Sequence, residues 1–162
     1  MAINESENLN ILLQSAELKQ ESVLSNIRSL DIKASIILAF FGVLFIPSVD
    51  IFQWTIRKNE LIYLKFSPGI SIIIGIIFCL LALFPQKIVS FPYLSILKDI
   101  YHKGINPNQL KAELFSYYEM ACMKNRKLSR KKLIFINIAF IFLIISLIII
   151  ILFFIFKGEI DV

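Results

Sequence analysis

Three stretches without a single charged side chain decide what this chain can fold into: residues 34–49, 66–86 and 133–156, which are 16, 21 and 24 residues long. A helix rises about 1.5 Å per residue and the hydrocarbon core of a bilayer is roughly 30 Å thick, so about 20 apolar residues cross it. The second and third stretches meet that length. The first is short and needs help, which Lys33 supplies by reaching back to the interface and Ile51, Phe52 and Trp54 supply as an apolar interfacial anchor beyond Asp50. Composition agrees: 57% of the residues are hydrophobic and 18% charged, and the apolar ones come in blocks rather than behind a charged surface.

The expected fold class is therefore an all-α membrane protein. It has three transmembrane helices and a cytoplasmic helical bundle formed by the N-terminal helix and the segment between spans 2 and 3. The expected divisions are an amphipathic N-terminal helix over 1–33, a first span with its interfacial extension over 34–54, and an outer loop over 55–65. A second span follows over 66–86, then a cytoplasmic helical segment over 87–132, a third span over 133–156 and an outer tail over 157–162. The first thirty residues are polar and mixed in charge, without the basic start, apolar middle and small-residue cleavage site of a signal peptide, so no removal is expected. Cys79 lies within the second span and Cys122 in the basic segment, at different depths, so both read as small apolar residues rather than a disulfide.

Orientation follows from the basic residues. Ten of the seventeen lie between the second and third spans, and an excess of Lys and Arg marks the cytoplasmic side. Three crossings then put the N-terminus inside with Lys19, Arg28 and Lys33, and leave Arg57, Lys58, Lys65 and Lys157 outside.

Periodicity extends two of the spans into the polar regions. Leu9, Leu12, Ala16, Gln20, Val23, Ile27, Leu30 and Ala34 recur at spacings of three and four, one face of a helix that runs straight into the first span. That stripe needs a partner to bury it, either within the chain or in another copy. Past the second span, Pro85 marks its exit, Ser90-Phe91-Pro92 predicts a turn, and a short helix is expected from Tyr93 to His102, ended by Gly104. Asn106-Pro107 followed by Gln109 predicts a capped new helix, along which Leu110, Leu114, Tyr117, Ala121 and Leu128 keep helical spacing into the third span.

Few constellations carry chemistry. Residues 124–132 hold six basic side chains in nine, able to bind an anionic small molecule, or, more blandly, to meet anionic lipid headgroups. A nucleic-acid polymer is not expected as a partner, since no reading module accompanies the cluster. Asp31-Ile32-Lys33-Ala34 sets a carboxylate and an ammonium at the mouth of the first span, as a ligand contact, a lock or a depth stop. Tyr101, Tyr117 and Tyr118 offer ring faces to a base or to the core. His102 has no metal-ligand companions, so no metal is expected. Asn137 is a candidate for packing within the membrane by a bond between helices, or for a local backbone bond. No phosphate loop, nucleophile elbow or HExxH motif is present, so an enzyme is not expected.

These parts in this order resemble the Pycsar transmembrane effectors, small bacterial antiphage proteins activated by cyclic pyrimidine nucleotides. The residues that carry the likeness are Asp31-Ile32-Lys33-Ala34 at the head of the first span, Leu83-Phe84-Pro85 closing the second, and Lys124 before the third. Leu30 stands where the family often has Ala, and Asn125 where an aromatic is common. The resemblance implies a protein of the bacterial inner membrane that answers cyclic CMP or cyclic UMP, made by an adjacent cyclase after infection, by impairing that membrane. Arg28, Asp31, Lys33, Lys124, Arg126 and Lys127 are the expected nucleotide contacts, with Asp31 pairing the basic residues at rest or bonding the ligand. A homo-oligomer is compatible with the N-terminal stripe. Other architectures share these features: a two-span effector that answers a cyclic oligonucleotide, a structural or regulatory membrane subunit, and a holin-like pore former.

Overall fold

The computed structural model describes residues 2–58, 62–89 and 106–160, with side chains for 7–54, 67–89 and 106–157. Every described element is a helix: α1 (Ala2–Lys58), α2 (Ile62–Leu83) and α3 (Pro107–Ile160). The expected turn at Ser90 and helix from Tyr93 to His102, with Tyr101, lie outside the described residues.

Continuity is the main property of α1 and α3. α1 runs for 57 residues because nothing stops it where the charged part meets the apolar part, and it passes through Pro47. Proline cannot donate to the Val43 carbonyl, and Ser48 Oγ bonds the nearby Phe45 carbonyl at 2.6 Å, the kind of local bond that makes proline tolerable in an apolar helix. α3 begins where the sequence predicts. Asn106 Oδ1 accepts the Asn108 N–H at 3.2 Å, and its carbonyl accepts the Leu110 N–H at 3.1 Å. From there α3 runs for 54 residues, beyond the expected end of the third span at 156. Within the interval 55–65, α1 continues to Lys58 and α2 starts at Ile62. No glycine or proline falls in that interval to break either helix.

The chain divides into two compact units, Met1–Arg28 with Pro85–Arg130, and Ser29–Phe84 with Lys131–Val162. In the first, α1 buries Ala16, Gln20 and Ile27, and α3 buries Tyr118, Ala121, Cys122, Asn125 and Leu128. The α1 set advances by four and then seven, and Tyr118, Ala121, Asn125 and Leu128 of α3 by three, four and three, spacings that keep one seam of a helix facing its neighbour.

In the second unit all three helices take part. Leu30, Ala34, Ile37 and Phe41 of α1 share a core with Ile72, Cys79 and Ala82 of α2 and Ile136 and Ala139 of α3. The Phe41 ring is fully buried and lies on the backbone of Gly75, where an added Cβ would stand 2.0 Å from the ring. Only glycine permits that approach. Between α2 and α3, Phe78 meets Phe142 and Phe135 at centroid distances of 6.4 and 6.2 Å. Ser146 Oγ donates to Ser71 Oγ at 2.8 Å, and Ser71 reaches the Phe142 carbonyl at 3.2 Å. Further along, Trp54 packs edge-on against Phe153 at 5.2 Å, beside Ile51 and Ile150. Ile51 is fully buried, so this member of the expected interfacial anchor belongs to the core instead.

The outer faces of the second unit are apolar. Val43, Ile46, Ile73, Phe140, Ile151 and Phe156 are each half exposed or more. Water does not tolerate apolar surface on that scale, whereas lipid is its natural solvent. Among the described residues, α1 and α3 are long and apolar enough to cross a bilayer, and α2 adds a shorter apolar run over Ser67–Leu83.

Candidate functional site

In the first unit, residues 85–89 follow the end of α2 as a non-helical strap. Its anchor is Asn125, which is 1% exposed. Asn125 Oδ1 accepts the Val89 N–H at 3.0 Å, and its Nδ2 donates to the Val89 carbonyl at 2.9 Å, so both of its polar atoms are used. Gln20 of α1 donates to the same carbonyl at 3.5 Å, and its buried Oε1 has no partner among the described residues. A buried amide of this kind stays in a core only because its bonds are made there, since an unmade one costs about 1–3 kcal/mol.

Beside this cluster, α1 and α3 leave a cleft of about 230 Å³. Its lining combines the buried Ala16 and Cys122 and the exposed Leu12 and Met123 with the polar Ser15, Lys19, Glu119 and Arg126. Phe115 is partly exposed there, and Tyr118, only 4% exposed, closes the wall behind it. Burial, followed by the charge of Glu17, pushes the Tyr118 phenol above its ordinary pKa, so it remains a neutral hydrogen-bonding group at physiological pH. Lys19, Glu119 and Arg126 form no ion pair among the described residues. Two cations and a carboxylate without ion-pair partners among the described residues, beside the Phe115 ring, suit an anionic ligand that carries a ring.

The second unit holds a different polar feature. Lys132 is 4% exposed and bonds Asp31, whose side chain is 39% exposed. The pair stands at the head of two apolar runs, since Asp31 precedes residues 34–49 and Lys132 precedes residues 133–156. Removing the partner of a lysine so buried is costly, because the polar group is then left unpaired in the core.

The residues picked from sequence distribute as follows. Arg28, Lys124, Arg126 and Lys127 belong to the first unit and are exposed, and of these Arg126 lines the cleft. Asp31 and Lys33 belong to the second. Lys33 and Asn137, both exposed, border a shallow groove with Ile37 and Phe140. Pro85 is exposed, two residues past α2. Asp31 pairs with Lys132, a member of the basic cluster not singled out from sequence. Its signal was register: Lys132 follows Leu128 by four and precedes Ile136 by four, a lysine at a core position. Asn125 left the same kind of trace, filling the seven-residue gap between Ala121 and Leu128. Lys19 and Glu119 had no local signal at all, because each looks like an ordinary solvated charge.

Fold and surface together define an all-helical membrane protein whose polar unit carries a cationic, ring-lined cleft. Residues 16–157 match the family model of the Pycsar effector protein domain, and the chain belongs to that family. No curated protein and no solved structure matches it. The resemblance read from Asp31-Ile32-Lys33-Ala34, Leu83-Phe84-Pro85 and Lys124 thus identifies the family.

Proposed function

We propose that this protein is the membrane effector of a Pycsar antiphage defence system in the bacterial inner membrane. A neighbouring cyclase makes cyclic CMP or cyclic UMP on infection, the nucleotide binds the polar unit, and the protein impairs the membrane so that the infected cell dies before it releases phage. The protein acts without catalysis. The observation that carries this reading is the family match over residues 16–157.

In this scheme α1, α2 and α3 all cross the bilayer, with the N-terminus and residues 87–132 in the cytoplasm. The lean of thirteen basic residues inside against four outside supports that orientation. Helix continuity supplies the coupling. α1 and α3 each join a charged part and an apolar part without a break, so a ligand that binds two packings of the polar unit unequally shifts the apolar parts as well. The candidate phosphate contacts within the polar unit are Arg28, Lys124, Arg126 and Lys127, and in the apolar unit the Asp31–Lys132 pair is the resting lock.

Co-expression with an active pyrimidine cyclase tests the scheme, with membrane potential followed by a voltage-sensitive dye. Depolarisation that needs both proteins is the expected result. Intact polarisation, with the effector present in the membrane fraction and cyclic CMP or cyclic UMP measurable in the cell, refutes it.

A further inference from the structure

The cleft of the first unit is graded from end to end. Gln20 and Asn125 both reach the carbonyl of Val89, at 3.5 and 2.9 Å, so they stand level. Lys19 and Arg126 are their immediate chain neighbours and therefore come to the same end of the cleft. Side chains on a helix lean toward its N-terminus, so both cations reach back along the cleft, toward Tyr118 and Phe115. Glu119 stands seven residues before Arg126, two turns nearer the aromatic end and on the same face of α3. An anion and a ring, held apart by the length of a sugar, fit this order of groups.

Size narrows the ligand further. Pockets for drug-sized molecules run from about 300 to 1,000 Å³, and this cleft holds about 230 Å³. That volume is on the scale of one small ligand.

Glu119 adds a preference. A carboxylate accepts hydrogen bonds and cannot donate them. Cytosine presents an amino group at its N4 corner, which Glu accepts in its usual base pairing, whereas the corresponding O4 of uracil is itself an acceptor that a carboxylate repels. A site built around one such bond rejects the analogue that cannot make it.

We propose that this cleft is the nucleotide site, that Lys19 and Arg126 hold the cyclic phosphate, that the base lies against Phe115, and that Glu119 selects cytosine over uracil. The inference rests on the cyclic-pyrimidine reading given above. It moves the phosphate contacts away from Arg28, Lys124 and Lys127 and leaves Arg126 as the member shared with that earlier set.

Calorimetric titration of the purified full-length protein in detergent, with cyclic CMP, cyclic UMP and cyclic AMP, separates the two levels. The expected result is tightest binding of cyclic CMP, with cyclic UMP about tenfold weaker or more. Lys19→Ala and Arg126→Ala each weaken cyclic CMP by about tenfold, the usual loss of a charge-assisted bond. Lys111→Ala removes one charge from the same unit, outside the cleft, and leaves affinity unchanged. Glu119→Gln, whose amide can turn to suit either base, brings cyclic UMP within about threefold of cyclic CMP. If none of the three nucleotides binds, the functional reading itself fails. If cyclic CMP or cyclic UMP binds and neither alanine variant weakens it, the reading stands and the cleft assignment falls. A preference for cyclic UMP in the wild-type protein overturns the role given to Glu119.

Discussion

In the first unit Asn125 ties α3 to the Val89 backbone with two bonds of ordinary length, and α1 adds a weaker third through Gln20. In the second unit a phenylalanine ring rests on a glycine, two serines bond across α2 and α3, and one lysine is buried against a carboxylate. The difference follows from what surrounds each unit. Where water is the solvent, burying Ile27 and Leu128 already drives the helices together, and the buried amides mainly choose which segment docks where. Where lipid is the solvent, an apolar side chain gains little by leaving it. Close approach at small residues and hydrogen bonds between helices must then hold the assembly.

Four experiments sharpen or break that contrast, each read as a shift in the unfolding of the purified protein in detergent. Asp31→Ala has the largest expected effect, a loss of about 3 kcal/mol, because it leaves the Lys132 ammonium buried and alone. Replacing both partners, Asp31→Leu with Lys132→Met, recovers most of that loss. If Asp31→Ala unfolds like the wild type, the pair is not a structural contact and cannot serve as a lock.

Next comes Asn125→Leu in the first unit, expected to cost about 2 kcal/mol through the Val89 amide and carbonyl that it strands. The strap should also become open to proteolysis near Val89 while α3 keeps its helical signal. Protection equal to the wild type would mean that packing, not Asn125, holds the strap.

Ser146→Ala removes one bond between membrane helices and is expected to cost about 0.6 kcal/mol, the usual worth of such bonds. A cost above that of Asn125→Leu would reverse the contrast between the two units.

The smallest effect concerns pH. The Tyr118 phenol titrates above its ordinary value in the folded protein, first because it is buried and then because Glu17 lies near. Its contribution to stability is therefore complete below the unfolded pKa, near 10, and is lost as pH rises through the higher folded value. Melting between pH 9 and 11 should show a decline that is shallower in Tyr118→Phe. Equal slopes would remove Tyr118 from the account.

Much of the candidate site was hidden in the sequence for a physical reason. Periodicity finds side chains that face a neighbour, and it picked out Ala16, Gln20, Ile27 and Leu30 on one face of α1, all of which are buried. It says nothing about exposed charges on the rim of a cleft, so Lys19 and Glu119 were invisible while Arg126 was noticed only as part of a basic run. Asn125 looked like a departure from a family pattern and proved to be the residue that anchors the strap.

By itself the sequence determined the solvent of this protein and its class. Charge-free runs of 21 and 24 residues have the length that crosses a bilayer, and that property belongs to the sequence whatever the details of packing. It also determined where α3 begins, since Asn106 and Pro107 act on backbone groups within a few residues of themselves. Only the tertiary structure decided that Asp31 would meet Lys132, Gly75 would receive Phe41, and Lys19 would stand level with Arg126. Each of those pairs joins residues far apart in the chain, where partner choice depends on the register of whole helices rather than on any local preference.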